Sequence, residues 1–383
     1  MSLSTIKKKN LRFFTFILLI FLLIFLITNT IIISSSILKI DKINSFKKSV
    51  YKNDTKEKYI VINGIPMIDY GYKKNIYVGI QLYPLGLARY AQGNISAYLR
   101  DSRNTEALES AIFLGDWLIE NKVEKNSFDW ENNSLVNYNM WVSNFSVPYP
   151  KMPIEKPFYS ALAQGHIIDL FVNLYKITNQ SKYHDHAFFA LNAFKVEIKE
   201  GGLLKIEEPN KFWLPEIVEL HHPERLRYVL GGFVHTIKNL IEIRDLTNSE
   251  SMKFYINRLV NFTIANLEDK IQLYSYKDIW TYYDRVGHIA SDFYNDLNTF
   301  YLGWLYNQTQ SPEIYDAWQL LYNSPHETFP KNFGWYIRNM FSETKIWWPY
   351  SFTISIIILF ISSPIWYIAR RKIYMFLEKN LAV

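Results

Sequence analysis

The polar stretch Arg100–Thr105, with the sequence RDSRNT, separates two segments of helical periodicity. Comparable polar turns recur later in the chain, as TNQSK at 178–182, DLTNSE at 245–250 and TQSPE at 309–313. Each turn carries Asn, Ser or Thr where the second segment starts, and such a side chain can accept a hydrogen bond from the free backbone amides of a first helical turn. The recurrence predicts four helix pairs.

The segments after the turns, such as Glu106–Ile119 and Lys253–Asn266, place apolar residues at helical spacing. The first helices are richer in aromatic and small residues, as expected of an inner layer. Helix pairs that close on themselves leave a cleft lined by the inner helices. We therefore predict a mostly α fold, an α/α toroid in the form of an incomplete α/α barrel, with a short extended or β segment from Tyr59 to Leu82. An open solenoid is the alternative, although the long irregular loops at 122–157 and 199–226 suit an enzyme better.

Two uncharged apolar runs, Phe13–Ile33 and Ile346–Ala369, are each long enough to span a bilayer as a helix. Basic residues before the first run and after the second favour cytoplasmic termini. We therefore predict two transmembrane helices and a two-pass membrane location, with the catalytic domain on the extracytoplasmic side; cleavage after the first run stays open. The predicted organisation is a basic tail at 1–12, a transmembrane helix at 13–36, a juxtamembrane linker at 37–58, the toroid domain at 59–330, a second transmembrane helix at 346–369 and a basic tail at 370–383.

Composition excludes several classes of partner and site. The formal net charge of +6 is spread along the chain, and because no basic tract is interleaved with aromatic residues, nucleic acid is not an expected partner. The chain has no cysteine, which excludes disulfides, thiolate nucleophiles and zinc–thiolate sites. No cluster of side chains has metal-ligand spacing, so neither a metal nor another cofactor is predicted.

Residues 279–305, IWTYYDRVGHIASDFYNDLNTFYLGWL, concentrate phenols and charges beyond what a packing helix needs. We interpret this stretch as one wall of an active site. Its apolar residues at helical spacing are better explained as core, and these are Phe293, Leu297, Phe300 and Trp304. The candidates for function fall outside that stripe, and these are Tyr283, Asp284, Arg285 and Tyr294.

A second cluster of chemically active side chains lies between Trp213 and Arg225, where Glu216 and His221 are close in sequence. The loop from 128 to 157 adds exposed aromatic candidates, among them Trp141, that could stack on sugar rings or pack on the mouth of the toroid. Both interpretations of that loop stay open.

Five stretches resemble the catalytic C-terminal region of D-glucuronyl C5-epimerases, and together they cover roughly residues 60 to 325. They are Gly64–Gly71 (GIPMIDYG), Phe158–Gly165 (FYSALAQG), Val229–Phe233 (VLGGF), Tyr283-Asp284 and Phe293-Tyr294. The family's Glu-Glu-Tyr-Pro motif is altered here. Counting from Trp213 aligns Glu216 with its glutamate, whereas counting back from Val229 aligns His221 with its tyrosine. Asn295 and Arg285 also depart from the family pattern.

The resemblance implies an epimerase that inverts C5 of a hexuronic acid, of the D-glucuronate to L-iduronate type. Removal of a proton next to a carboxylate and its return to the opposite face require two acid/base groups that flank the ring. A tyrosine has an ordinary pKa near 10, so a nearby cation such as Arg285 or Arg225 would make its phenolate accessible and stabilise the developing enediolate. The catalytic residues expected are Tyr283, Tyr294, Glu216 and His221, and the substrate-binding residues expected are Arg285, Arg225, Gln164, Tyr159, Trp213 and Trp141.

The expected partners are a uronate-containing glycan or lipid-linked oligosaccharide and the membrane, and a homodimer stays open. Two other functions remain alternatives at this point. A polysaccharide lyase would abstract the same C5 proton and then eliminate the C4 substituent. A non-catalytic glycan-binding protein would keep the toroid without the chemistry, and the altered Glu-Glu-Tyr-Pro region is its best support.

Overall fold

Four helix hairpins make up the larger part of the described structure, which is a computed structural model. It describes residues 59–323 apart from Lys74, Pro150, 277–279 and Ser291. The helices are α1 Pro84–Arg100, α2 Thr105–Glu120, α3 Ala161–Thr178, α4 Ser181–Asn192, α5 Leu230–Leu246, α6 Glu250–Lys270, α7 Asp292–Thr309 and α8 Pro312–Asn323.

The polar turns form the hairpins, as predicted. Asn104 accepts a hydrogen bond from the backbone amide of Ala107 at the start of α2, and Ser249 accepts one from Met252 at the start of α6. The turn between α3 and α4 is built differently. Asn179 ends α3 in the left-handed conformation, which asparagine tolerates better than most residues.

The hairpins are arranged in two layers. The first helices pack side by side in the order α1, α3, α5 and α7, and each second helix packs against the first helix of its own pair. This inner row and outer row are the arrangement that the repeat predicted. The inner row is closely packed at Gly165, where a Cβ would lie 3.3 Å from the Asn239 amide on α5, so Asn239 would have to shift slightly to admit one.

Short antiparallel strands fill the connections between the hairpins. They are β1 Tyr59–Ile62, β2 Ile65–Asp69, β3 Tyr72–Lys73, β4 Ile76–Tyr77, β5 Ile80–Gln81, β6 Val123–Phe128, β7 Leu135–Met140, β8 Phe158–Tyr159, β9 Lys205–Glu208, β10 Lys211–Trp213, β11 Val218–Glu219, β12 Ser275–Tyr276 and β13 Trp280–Thr281. Strands β1, β2 and β5 form one sheet before α1, as the extended N-terminal segment predicted. The others pair two by two, β3 with β4, β6 with β7, β8 with β11, β9 with β10 and β12 with β13.

The structure corrects the predicted fold class in two respects. About half of the described residues are helical rather than most of them, because strand pairs occupy the segments interpreted as irregular loops. No helix in the range 59–323 is long and apolar enough to cross a membrane. The longest of them, α6, carries charged residues in its first turn, its middle and its last turn, so its apolar side packs on protein.

The predicted two-pass membrane location is corrected on the same finding, since no helix among the described residues supports it. The predicted spans at 13–36 and 346–369, the tails at 1–12 and 370–383 and the linker at 37–58 lie outside the described residues.

Candidate active site

The carboxyl group of Glu216 lies at the centre of a cluster of phenols. Glu216 belongs to the loop between β10 and β11 and packs against the first turn of α5, where a Cβ on Gly232 would lie 2.0 Å from its Oε2 atom. With the carboxyl in this position, only glycine at 232 leaves room for it. The Glu216 side chain is partly accessible to solvent, yet protein atoms surround it and this burial raises its pKa to about 7, against the lowering effect of Arg227. Such a carboxyl can accept a proton near neutral pH.

Three tyrosines from different parts of the chain surround this carboxyl. Tyr83 precedes α1, Tyr149 lies in the loop after β7, and Tyr283 follows β13. Burial, followed by the negative charge of Glu216, raises the pKa of all three phenols, and for Tyr83 and Tyr283 the pKa is well above its ordinary value. The phenols therefore carry their protons at neutral pH, when Glu216 has begun to lose its own.

The phenol rings form a row. The rings of Tyr149 and Tyr283 stack with centroids 6.4 Å apart and an interplanar angle of 21°, and their hydroxyl groups are hydrogen-bonded. Tyr283 meets Tyr294 edge to face at 4.7 Å. Tyr294 lies in the first turn of α7 and is 37% exposed, so it forms the solvent edge of the row.

A buried guanidinium closes the other end of the row. Arg227 is 3% exposed, and its Cζ atom lies 5.4 Å from the Tyr149 ring centroid. Its Nη2 atom contacts Oε1 of the buried Glu219 at 3.5 Å. Burial lowers the pKa of Arg227, but an arginine keeps its charge at neutral pH.

The loop that carries Tyr283 is fixed by the carboxylate of Asp284. This carboxylate accepts hydrogen bonds from the backbone amides of Val286 and His288, and its Oδ2 atom lies 2.7 Å from His288 Nδ1. The Lys151 ammonium donates to the carbonyl of Gly287. Because Lys151 is two residues beyond Tyr149, these contacts tie the two tyrosine-bearing loops together.

The cluster lies at the amino-terminal ends of the inner helices. Ser160, the N-cap of α3, donates a hydrogen bond to the phenol of Tyr83, and the amide of Leu230 at the start of α5 donates to the carbonyl of Tyr283. Helix amino termini carry a partial positive charge, which favours the negative charge of an acidic ligand at this end of the inner row.

Of the predicted catalytic residues, the structure brings Glu216, Tyr283 and Tyr294 together. His221 is exposed on the loop after β11. Of the predicted substrate-binding residues, Arg225 forms an ion pair with Glu219 at the border of the cluster, with its Nη1 atom 3.2 Å from Oε2.

The side chains of the remaining predicted substrate-binding residues have other partners or are buried in the core. Arg285 pairs with Glu207, and its guanidinium packs on ring faces that include Trp213. The Gln164 amide donates to two backbone carbonyls in the core. The other three, Tyr159, Trp213 and Trp141, are all buried, with exposures of 4%, 0% and 3%.

Sequence reasoning missed Tyr83 and Arg227 as site residues, and it included Tyr149 only as one of several loop aromatics that could stack on sugar rings or pack on the mouth of the toroid. Tyr149 belongs to the aromatic loop that was already a candidate region, and Arg227 lies two residues beyond the candidate Arg225. Nothing in the local sequence distinguishes Tyr83 from other tyrosines. Within residues 59–323, no group of three or more His, Cys, Asp or Glu side chains is arranged to hold a metal ion.

Comparison with known proteins identifies the family to which part of the chain is similar. Residues 133–323 match the family described as D-glucuronyl C5-epimerase C-terminus. An uncharacterized protein of Methanocaldococcus jannaschii is 29% identical over 260 residues, which cover 66% of this chain and 80% of that protein. A D-glucuronyl C5-epimerase of Caenorhabditis elegans is 24% identical over 192 residues, which cover 48% of this chain and 29% of the nematode enzyme.

Solved structures resemble this one only distantly. A sugar epimerase from a ruminal bacterium is 14% identical with a TM-score of 0.47, and the match covers 73% of this chain and 67% of that one. A cellobiose 2-epimerase from Bacillus thermoamylovorans is 13% identical with a TM-score of 0.42, over 63% of this chain and 58% of that one. The assignment therefore rests on the sequence match: over residues 133–323 the chain belongs to the D-glucuronyl C5-epimerase C-terminus family and is a carbohydrate epimerase.

Proposed function

We propose that the protein inverts C5 of a hexuronic acid unit, of the D-glucuronate to L-iduronate type, in a glycan or a lipid-linked oligosaccharide. The observation that carries this proposal is the pairing of unlike acids in one cluster. Glu216 has a pKa of about 7, and it faces Tyr283, whose pKa lies well above the ordinary value. One group is ready to accept a proton and the other to donate one, as two-face proton exchange requires.

The reaction exchanges one proton for another at the same carbon. The C5–H bond breaks, the proton passes to a base on one face of the ring, and the electron pair moves into the carboxylate to give an enediolate. An acid on the opposite face then donates a proton to C5, which restores the carboxylate with inverted configuration. No oxidant, reductant or cofactor is consumed.

Our assignment makes Glu216 the base and Tyr283 the acid on the opposite face. A phenol of raised pKa is a weak acid, but an enediolate is a strong base and can take its proton. The Tyr283 phenolate can regain a proton through Tyr149, since their hydroxyls are hydrogen-bonded. Tyr294, at the edge of the same row of phenols, would contact the sugar ring of the substrate. Glu216 is preferred to His221 as the base because His221 is exposed and outside the row.

The test is proton exchange. The purified chain is incubated with uronate-containing oligosaccharides in deuterated water, and C5 is followed by NMR. Deuterium at C5 with inversion supports the proposal, and it should vanish in Glu216→Gln but persist in Glu250→Gln, which alters an exposed carboxylate on α6. A new C4–C5 double bond, or no exchange on any uronate glycan, would contradict it.

A further inference from the structure

Arg227 has donors that the described structure leaves unused. The side chain is 3% exposed, and its contact with Glu219 through Nη2 is long, at 3.5 Å. Among the residues that the structure describes, neither Nε nor Nη1 of Arg227 has a hydrogen-bond partner. Burying charged N–H groups without acceptors is costly, so the position indicates a missing acceptor.

The surroundings of Arg227 orient it toward the catalytic cluster. Glu219 holds Nη2 and is itself held by Arg225 through its other oxygen, so the acidic partner lies on one side of the guanidinium. The ring of Tyr149 lies on another side. Arg227 also lowers the pKa of Glu216, which places its charge within electrostatic reach of the base.

We propose that Arg227 is the specificity-determining residue that binds the carboxylate of the sugar through Nε and Nη1. The inference rests on the proposed function, since it assigns the residue that recognises the acidic group at that same site. A carboxylate supplies the acceptor oxygens that the two donors lack, and charge-assisted bonds of this kind are strong. When the C5 proton leaves, negative charge builds up on this carboxylate, so the contact strengthens in the transition state.

The other two arginines considered for this role are less suited to it. Arg225 donates a hydrogen bond to Glu155 and forms an ion pair with Glu219. Arg285 also has unpartnered N–H groups, but its guanidinium pairs with Glu207 and is packed on the rings of Trp213, Tyr228 and Tyr274.

The test compares a uronate oligosaccharide with the same compound in which the carboxylate is converted to a primary amide. The C5 proton of the amide is intrinsically the more acidic, so a preference of the enzyme for the carboxylate reports recognition of charge. We expect Arg227→Gln to lower kcat/KM for the uronate by about 10²-fold and to lose the preference, whereas Arg227→Lys should keep part of it. Each preference is a ratio within one protein sample and does not depend on the folded fraction.

Arg258→Gln is the matched control. Arg258 also pairs with a glutamate, Glu131, and packs on the ring of Trp130, outside the cluster, so the same charge is removed and the preference should be unchanged. The binding preference is measured as well, by ligand-observed NMR on the same two compounds. If wild type prefers the carboxylate in binding and Arg227→Gln does not, the inference holds even without turnover, while absent turnover on its own overturns only the proposed function. A preference that is unchanged in Arg227→Gln, or absent in wild type, would overturn the inference.

Discussion

Glu216 destabilises the fold in the pH range where it can act as a base. Its pKa in the folded protein is about 7, against 4.5 ordinarily. Between these values the folded protein holds a proton that the unfolded chain has released, so the free energy of unfolding falls as pH rises through this window. The difference corresponds to up to about 3 kcal/mol. Because the side chain is partly accessible to solvent, about 1–2 kcal/mol is the better expectation.

Replacement of Glu216 by glutamine should therefore separate stability from activity. We expect Glu216→Gln to abolish C5 exchange and to raise the free energy of unfolding at pH 8 by about 1–2 kcal/mol, with little change at pH 4.5. Urea denaturation at the two pH values measures the difference, with Glu250→Gln as control because Glu250 is exposed. Equal stability of wild type and Glu216→Gln at both pH values would show that burial does not raise the pKa of this carboxyl.

The pH dependence of catalysis follows from the same residue. If Glu216 must be ionised in the free enzyme, kcat/KM should rise about tenfold per pH unit below pH 7 and level off above it. No fall is expected below about pH 10, because burial and Glu216 hold the pKa of Tyr283 well above its ordinary value. The measurement is the initial rate of C5 exchange from pH 5 to 9. A rate that falls between pH 6 and 8 is incompatible with Glu216 as the base.

The roles of Tyr283 and Tyr294 can be tested by removing the phenol oxygen atom from each. Tyr283→Phe and Tyr294→Phe should each lower exchange by at least about 10²-fold, while thermal melting changes little because the rings remain packed. Tyr315→Phe on α8, which is 39% exposed, serves as a control of the same chemistry outside the site. Full activity in Tyr294→Phe would remove that residue from the site and leave Tyr283 as the acid.

Among the secondary-structure elements, the sequence predicted those whose ends are fixed by hydrogen bonds within a short segment. The helix hairpins follow from turns whose capping side chains, such as Asn104 and Ser249, lie within the turn itself. The strands of 122–157 were not predicted. Strand β6 has the sequence VEKNSF, and its half-buried positions are Val, Lys and Ser. Burial therefore alternates along the strand, but hydrophobicity does not, and the sequence pattern that predicts a strand is absent.

The site was predictable only in part, for a related reason. Glu216, Tyr283 and Tyr294 were identified because they lie in segments rich in charged and phenolic side chains or in segments that resemble a family motif. Tyr83 enters the site through packing between segments far apart in the chain, and no local pattern marks such an approach. Arg227 lies two residues beyond the candidate Arg225, but the sequence does not show which of the two arginines is buried beside Tyr149.

The packing of helix α5 on Glu216 can be tested by a substitution in the helix. In Gly232→Ala the new Cβ would overlap the Glu216 carboxyl, with Oε2 2.0 Å away, so the carboxyl must move. We expect C5 exchange to fall at least about tenfold, although no acid or base has been removed. In Gly93→Ala on α1 the new Cβ would meet nothing within 4 Å, so activity should persist with stability raised by about 0.5–1 kcal/mol. Normal exchange in Gly232→Ala would show that the Glu216 position is not critical.

For the whole molecule, the compact unit that contains the site is larger than the segment that matches the family. The match starts at residue 133, whereas the compact unit that contains the site extends from Lys56 to Ser324. Helix α1 lies before the match, yet it packs against α3, and Tyr83 at its start belongs to the cluster. Helix α2 is also outside, although Gly115 on α2 lies against Leu174 of α3.

The two boundaries can be compared directly by expressing each segment. We expect residues 56–324 to melt cooperatively and to retain C5 exchange, and residues 133–323 to remain unfolded. The shorter segment loses the partners of α3, and each fully buried leucine that becomes exposed costs about 1.5–3 kcal/mol. Leu87, Leu114 and Leu118, all 0% exposed, are deleted with the first hairpin, and Leu174 on α3, also 0% exposed, loses its cover from α2; a domain of this kind is stable by only about 5–15 kcal/mol. Circular dichroism melts and the exchange assay on both segments measure the outcome, and a cooperative melt of 133–323 at the temperature of 56–324 would show that the first hairpin is dispensable to the fold.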